Sequence, residues 1–149
     1  IYKYIYINIM KKKTTTLLLI DEILHIFLED NILTIKLLGG CFTNDIIQKL
    51  FSIVEIFYDI CKKKNKKFYT IYDFVNCKFT NIPNYLYYVN DIVTLLKTHR
   101  QFYETYLYST LIITEMELTK NLCNLVLSQY TPTRPFKFIT ENEEKCFNF

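Results

Sequence analysis

The sequence predicts one α/β domain, in which a mostly parallel sheet is covered by helices. Two patterns indicate this fold. Before residue 40 apolar and polar residues alternate as in a β-hairpin, whereas beyond it segments with helical spacing alternate with short apolar runs. An N-terminal β-hairpin followed by a βαβαβαβα order, joined by right-handed crossovers, gives such a sheet. The chain has 149 residues, half of them hydrophobic, which suits a single core.

An N-terminal arm is predicted ahead of the domain. Ile and Tyr alternate over residues 1–9, a pattern typical of an edge strand or of an arm that pairs with another sheet. Residues 11–16 follow as a polar break. We therefore divide the chain into an arm, residues 1–16, and one α/β domain, residues 17–149.

A hairpin and a helix begin the domain. Leu24 to Leu28 and Ile32 to Leu38 are predicted strands, because Asp30 and Asn31 between them tolerate the left-handed backbone of a tight turn. Gly39-Gly40 ends the second strand. The helix after it is indicated by six apolar residues on one stripe: Ile46, Leu50, Ile53, Val54, Phe57 and Cys61.

Three further strands alternate with helices in the rest of the chain. Residues 62–67 are a lysine-rich loop before a strand from Phe68 to Val75 whose apolar sequence predicts burial on both faces. A helix from Asn84 to Lys97 and a buried strand from Thr110 to Ile113 come next. The last strand is Phe136 to Ile139.

Two capping boxes predict the starts of the last two helices. Thr114 with Glu117, and Thr140 with Glu143, have the spacing at which a hydroxyl and a carboxylate bond each other's backbone N–H groups. The second box directly follows the last predicted strand, so that helix is short.

The sequence lacks the common signatures of catalysis and of cofactor binding. It contains no GxGxxG, GxxxxGKS/T, HExxH or GxSxG motif, and its five cysteines form no CxxC pair. His25 and His99 are isolated, so we predict no metal site and no cofactor. Neighbouring carboxylates such as Asp21 and Glu22 project apart from a strand. We therefore predict that the protein is not an enzyme.

Composition indicates where the protein works. No apolar stretch is long enough for a membrane span, and the unpaired cysteines favour a reducing cytoplasm or a particle or organelle complex assembled there. A net charge of +3 does not indicate nucleic-acid binding. Alanine is absent, while Ile, Lys, Asn, Tyr and Phe, all with AT-rich codons, abound. This bias indicates an AT-rich genome, such as that of a large DNA virus.

Two segments resemble those of the STAS family, the anti-sigma-factor antagonist-like domains, and of the topologically related Sec14 (CRAL-TRIO)-like fold. The segment Tyr72 to Tyr85 is similar to the STAS stretch in which a strand ends at Asp and a loop leads into a helix. The segment Asp30 to Gly39 is similar to that family's second hairpin strand. The resemblance covers roughly residues 20–149 by element order and implies the same fold.

The resemblance also implies a binding surface without the family's phospho-switch. Ile82, which has no hydroxyl, stands where bacterial regulators have the phosphorylated serine. Asn81 replaces the family's Asp and Asn84 its Gly. The candidate partner-binding residues are therefore Asp73, Asn81, Asn84, Tyr85 and Tyr88.

Two functions remain open from the sequence. Tyrosines concentrated around the second predicted helix favour a non-enzymatic module that binds protein partners, as a structural subunit of a larger assembly such as a virion or organelle complex. The alternative is a Sec14-like protein that binds a lipid or a small apolar ligand. We expect 149 residues to leave little room for both a core and a void of ligand size.

Overall fold

The described residues form one mixed sheet of six strands, whose spatial order follows their order in the chain. The structure is a computed structural model that describes residues 14–20, 24–37, 44–77, 82–115 and 117–144. The first three strands pair antiparallel, and the third to the sixth pair parallel. They are β1 (Thr14–Ile20), β2 (Leu24–Glu29), β3 (Ile32–Leu37), β4 (Phe68–Asp73), β5 (Leu107–Ile113) and β6 (Phe136–Ile139).

The described residues also form five helices, four of which lie within the connections between parallel strands. They are α1 (Asn44–Lys64), α2 (Ile82–Thr98), α3 (Arg100–Tyr106), α4 (Glu117–Gln129) and α5 (Glu141–Glu144). Each connection leads to the next strand on the same side, so right-handed crossovers place α1 to α4 over one face of the sheet. The predicted α/β class is confirmed.

The main core lies between that face and the helices. Leu24 and Ile26 of β2 and Ile35 of β3 are at most 1% exposed, and alternate residues of each strand point the same way. Phe68 of β4 packs edge-on against Phe57 of α1, with 4.9 Å between ring centroids. Burying each such side chain contributes about 1.5–3 kcal/mol.

The opposite face of the sheet carries a second, smaller core. Leu111 and Ile113 of β5 are buried there with Ile139 of β6, and Ile71 and Val75 pack against them. Because Ile112 is buried on the helix side, β5 is buried on both faces, as its apolar sequence predicts. In β4 the burial is uneven: Phe68, Thr70 and Asp73 are buried, whereas the other residues keep some exposed surface.

The predicted hairpin is confirmed, and the helix after it is longer than predicted. Asp30 adopts a φ of 51° in the turn between β2 and β3. α1 continues to Lys64, and Asn65, with a φ of 48°, terminates it. The assignment of residues 62–64 to a loop is therefore wrong, since the helix dipole favours lysines in a last turn.

Two elements were not expected from the sequence. β1 begins at Thr14 and pairs with β2 over Thr14 to Thr16, so the predicted polar break is wrong for these three residues. Residues 1–13 and Gly39-Gly40 lie outside the described residues. The part of the predicted arm that precedes Thr14 is therefore not tested. The other unexpected element is α3, which His99 separates from α2.

The second predicted capping box is confirmed, whereas the helix predicted at the first capping box, α4, begins later in the chain. Thr140 N donates to Glu143 Oε2 over 2.8 Å, and Glu143 N donates to Thr140 Oγ1 over 3.3 Å. α4 begins at Glu117, two residues later than a cap at Thr114 would place it. Thr114 N instead donates to the carbonyl of Ile139, extending the pairing of β5 with β6.

Candidate functional site

The predicted partner surface starts at the carboxyl end of β4. Asp73 ends this central strand, as the resemblance implies and two residues before the end at Val75 that the apolar run predicts, and it is 8% exposed. One carboxylate oxygen lies 3.0 Å from Lys36 Nζ, and the other accepts a hydrogen bond from Val75 N over 3.1 Å. Both oxygens of Asp73 therefore have partners within the domain.

Of the other predicted partner residues, Tyr88 is the one whose side chain the structure describes. Asn81 lies outside the described residues, and Asn84 and Tyr85 belong to the first turn of α2. Tyr88 is only 8% exposed and packs under α2 on the helix side of the sheet, whereas Asp73 points to the opposite side. Tyr87, the residue before Tyr88, is 73% exposed.

A cavity of about 290 Å³ lies between the sheet and the helices. Its floor consists of side chains from alternate positions of β3, β4 and β5, and its roof comes from α1, α2 and α4. Among the floor residues are Ile35, Tyr72 and Ile112, and among the roof residues are Val54, Val89 and Leu122. The wall is therefore mostly aliphatic and aromatic.

The cavity extends along most of α4. Thr119 in the first turn of this helix lies on the wall, and so do Tyr130 and Arg134 beyond its end. Ten residues of helix span about 15 Å, which sets the scale of the cavity's long direction. Phe136, which is 37% exposed, also lies on the wall, so the cavity reaches the surface near the start of β6.

Two tyrosine hydroxyls meet at the cavity wall. The hydroxyl oxygens of Tyr58 in α1 and Tyr103 in α3 lie 2.6 Å apart, and both residues are under 8% exposed. One hydroxyl donates to the other, so each has a partner in a region with little water. The bond fixes α3 against α1, and the Tyr58 ring stacks 4.2 Å from Phe102.

Three polar atoms of the wall are buried without a hydrogen-bond partner among the described residues: Thr119 Oγ1, Thr133 Oγ1 and Arg134 Nε. Thr119 is 1% exposed, and its Oγ1 is buried without a partner. Arg134 Nε is also buried and unpartnered, although one terminal nitrogen of the same guanidinium donates to the carbonyl of Glu104. Buried polar atoms in folded proteins nearly always have partners, so these atoms are the polar groups of the wall that a molecule in the cavity could contact.

Burial raises the pKa values of three tyrosines and one cysteine on the wall. It raises the pKa of Tyr72 to about 12 and that of Cys123 to about 11, and it raises the pKa values of Tyr58 and Tyr103 as well. Within the described part of the wall Arg134 is the only charged residue. The cavity can therefore hold an apolar molecule, and Tyr72 and Cys123 on its wall stay protonated at neutral pH.

Among the histidines and lysines that the sequence draws attention to, His99 and Lys62 contact side chains of the domain itself. His99 Nε2 lies 3.2 Å from Glu55 Oε1, which ties the junction of α2 and α3 to α1. Lys62 Nζ lies over the ring of Phe102, 5.5 Å from its centroid. Across the described ranges no three His, Cys, Asp or Glu side chains are grouped as a metal site would require. None of the described helices combines the length and the apolar character of a membrane span.

Comparisons with protein-family models, with curated proteins and with solved structures find no match for this chain.

Sequence analysis placed the functional site at a strand end and missed the cavity. We expected little room for a void of ligand size, and the cavity of about 290 Å³ is at the lower limit for small-ligand pockets. A weak signal was present in the sequence: Thr70, Thr110 and Thr119 stand at inward positions of otherwise apolar elements. Short polar side chains there leave space and hydroxyl groups where a filled core would have Leu or Ile.

Proposed function

We propose that this domain binds a small, mostly apolar ligand between its sheet and its helices. The observation that carries the proposal is the cavity of about 290 Å³ with its apolar wall. Pockets for small ligands begin at about 300 Å³, and they are lined mainly by apolar and aromatic residues with a few polar groups. This is the second of the two functions that the sequence leaves open.

The energetic cost of an empty cavity supports the proposal. Protein cores contain few voids larger than a water molecule, and each cubic ångström of void costs about 24 cal/mol. A closed void of 290 Å³ would therefore cost about 7 kcal/mol, and this cavity costs less because it reaches the surface. Since net stabilities are about 5–15 kcal/mol, a ligand that fills this space would add measurably to the free energy of unfolding.

A filling substitution tests the proposal. Cys123 of α4 lies on the wall, whereas Leu125 of the same helix is 37% exposed and off the wall. Cys123→Phe is expected to fill part of the cavity, to raise the free energy of unfolding by about 1–2 kcal/mol and to weaken ligand binding strongly. Leu125→Phe, the matched control, is expected to change neither quantity.

The measurements are thermal unfolding of the protein alone and with a set of apolar compounds. A compound at a hundred times its Kd adds about 2.7 kcal/mol, which raises Tm by about 5–10 °C in a protein of this size. In a well-packed core Cys123→Phe would instead destabilise by about 1–3 kcal/mol. That result, together with no Tm increase from any compound, would show that the cavity does not bind ligands.

A protein-interaction module is the second candidate. Leu86 and Tyr87 are adjacent on α2 and are 48% and 73% exposed, so two large apolar side chains face solvent together. The double variant Leu86→Ser with Tyr87→Ser is expected to abolish association in sedimentation experiments while Tm stays unchanged. If the unmodified protein still sediments as a monomer when its co-expressed proteins are present, this surface does not bind a protein partner.

A further inference from the structure

We infer that the ligand is an apolar acid, whose carboxylate pairs with Arg134 at the mouth of the cavity. This inference rests on the proposed function. Arg134 lies four residues after Tyr130, beyond the end of α4. It is on the cavity wall, as is the exposed Phe136 two residues later. The guanidinium is thus at the place where the cavity reaches the surface.

The charge of Arg134 has no acidic partner among the described residues. Its guanidinium donates a hydrogen bond to a backbone carbonyl, that of Glu104. The Glu104 carboxylate is held instead by Arg100, whose Nε lies 3.3 Å from it. A cation partly buried beside an apolar wall is costly unless an anion compensates it, and the Nε–H of Arg134 still lacks an acceptor.

A carboxylate satisfies both requirements of this position. It supplies the missing negative charge, and its two oxygens can accept from the guanidinium nitrogens, an arrangement that Arg favours. The tail of the acid would then run inward along α4, against a wall whose remaining described residues are uncharged. A head near the surface and a tail inside agree with the positions of Arg134 and of the aliphatic residues.

The volume limits the length of the tail. At about 30 Å³ for each water-sized group, 290 Å³ accommodates roughly ten such groups. Decanoic acid is therefore the first probe, and decan-1-ol is the matched neutral probe of the same chain length. At neutral pH the first carries a charge and the second does not.

The experiment compares the two probes by equilibrium dialysis and by thermal shift. We expect decanoic acid to bind about ten- to a hundredfold more tightly than decanol, because a hydrogen bond to a charged group is worth more than one to a neutral group. Arg134→Gln should remove that preference by weakening only the acid, and Arg134→Lys should keep part of it.

Lys97 provides the control, because it is an exposed cation of α2 that does not line the cavity. Lys97→Gln removes one positive charge, as Arg134→Gln does, and should leave both Tm and the preference for the acid unchanged. Equal binding of acid and alcohol would overturn this inference and leave the proposed function standing. If neither probe binds, at any chain length from hexyl to tetradecyl, the proposed function fails too. If Arg134→Gln weakens both probes equally, Arg134 shapes the site and does not select acids.

Discussion

The bond between Tyr58 and Tyr103 predicts a non-additive pair of substitutions. The two hydroxyl oxygens lie 2.6 Å apart and are hydrogen-bonded to each other, and both residues are buried. Tyr58→Phe removes the hydrogen bond and leaves the Tyr103 hydroxyl unpaired, and Tyr103→Phe does the converse. A lost bond costs about 0.5–1.5 kcal/mol, and a buried hydroxyl without a partner costs about 1–3 kcal/mol.

Each single substitution is therefore expected to lower the free energy of unfolding by about 1–2 kcal/mol. The double variant has no unpaired hydroxyl and keeps both rings, so it should lose about 1 kcal/mol or less. The sum of the single effects then exceeds the double effect by about 1–3 kcal/mol, which is the coupling energy of the pair.

Urea unfolding followed by circular dichroism measures all four proteins of the cycle. Tyr87→Phe serves as the control, since this ring is 73% exposed and its hydroxyl should matter by less than about 0.5 kcal/mol. The reasoning is refuted if the two single effects add up to the effect of the double variant. It is equally refuted if either single variant unfolds at the same urea concentration as the unmodified protein.

Two further predictions concern pH. Burial raises the pKa of Tyr72 to about 12, from about 10 in an unfolded chain, so the unfolded state loses its proton first. The free energy of unfolding should therefore fall between about pH 10 and 12, and Tyr72→Phe should reduce that fall in a pH series of unfolding curves. Hydrogen bonds from Thr140 lower the pKa of Glu143, so the cap stabilises above the ordinary carboxyl pKa and is lost as pH falls through the lowered value. Thr140→Ala should return the Glu143 pKa to its usual range in an NMR titration, and an unchanged value would show that the capping box has no influence.

Local chemistry explains which parts of the fold could be predicted from the sequence. Asp30 at the hairpin turn and Thr140 at the last helix act on groups within four residues, so their effects can be deduced without knowing the tertiary structure. β1 was missed because Thr14 to Thr16 are polar. Threonine is β-branched, however, and a strand of threonines can pair with the edge of a sheet.

The cavity and the Arg134 site could not be deduced in that way. The floor and roof of the cavity come from six elements between Ile35 and Leu127, so its volume depends on how closely α1, α2 and α4 approach the sheet. Arg134 follows a proline-rich turn, where a surface arginine needs no explanation. Only the folded arrangement places its Nε against an apolar wall without an acceptor.

The agreement between the order of strands in the sheet and their order in the chain bears on how this protein is made. When each strand leaves the ribosome, the strand with which it pairs has already been synthesised. No strand has to insert between two others. Each loop that must close is either a hairpin or a single crossover, so the entropy lost at every step stays modest. Assembly can therefore advance from β1 to β6 during translation, with few long-range contacts left until the end.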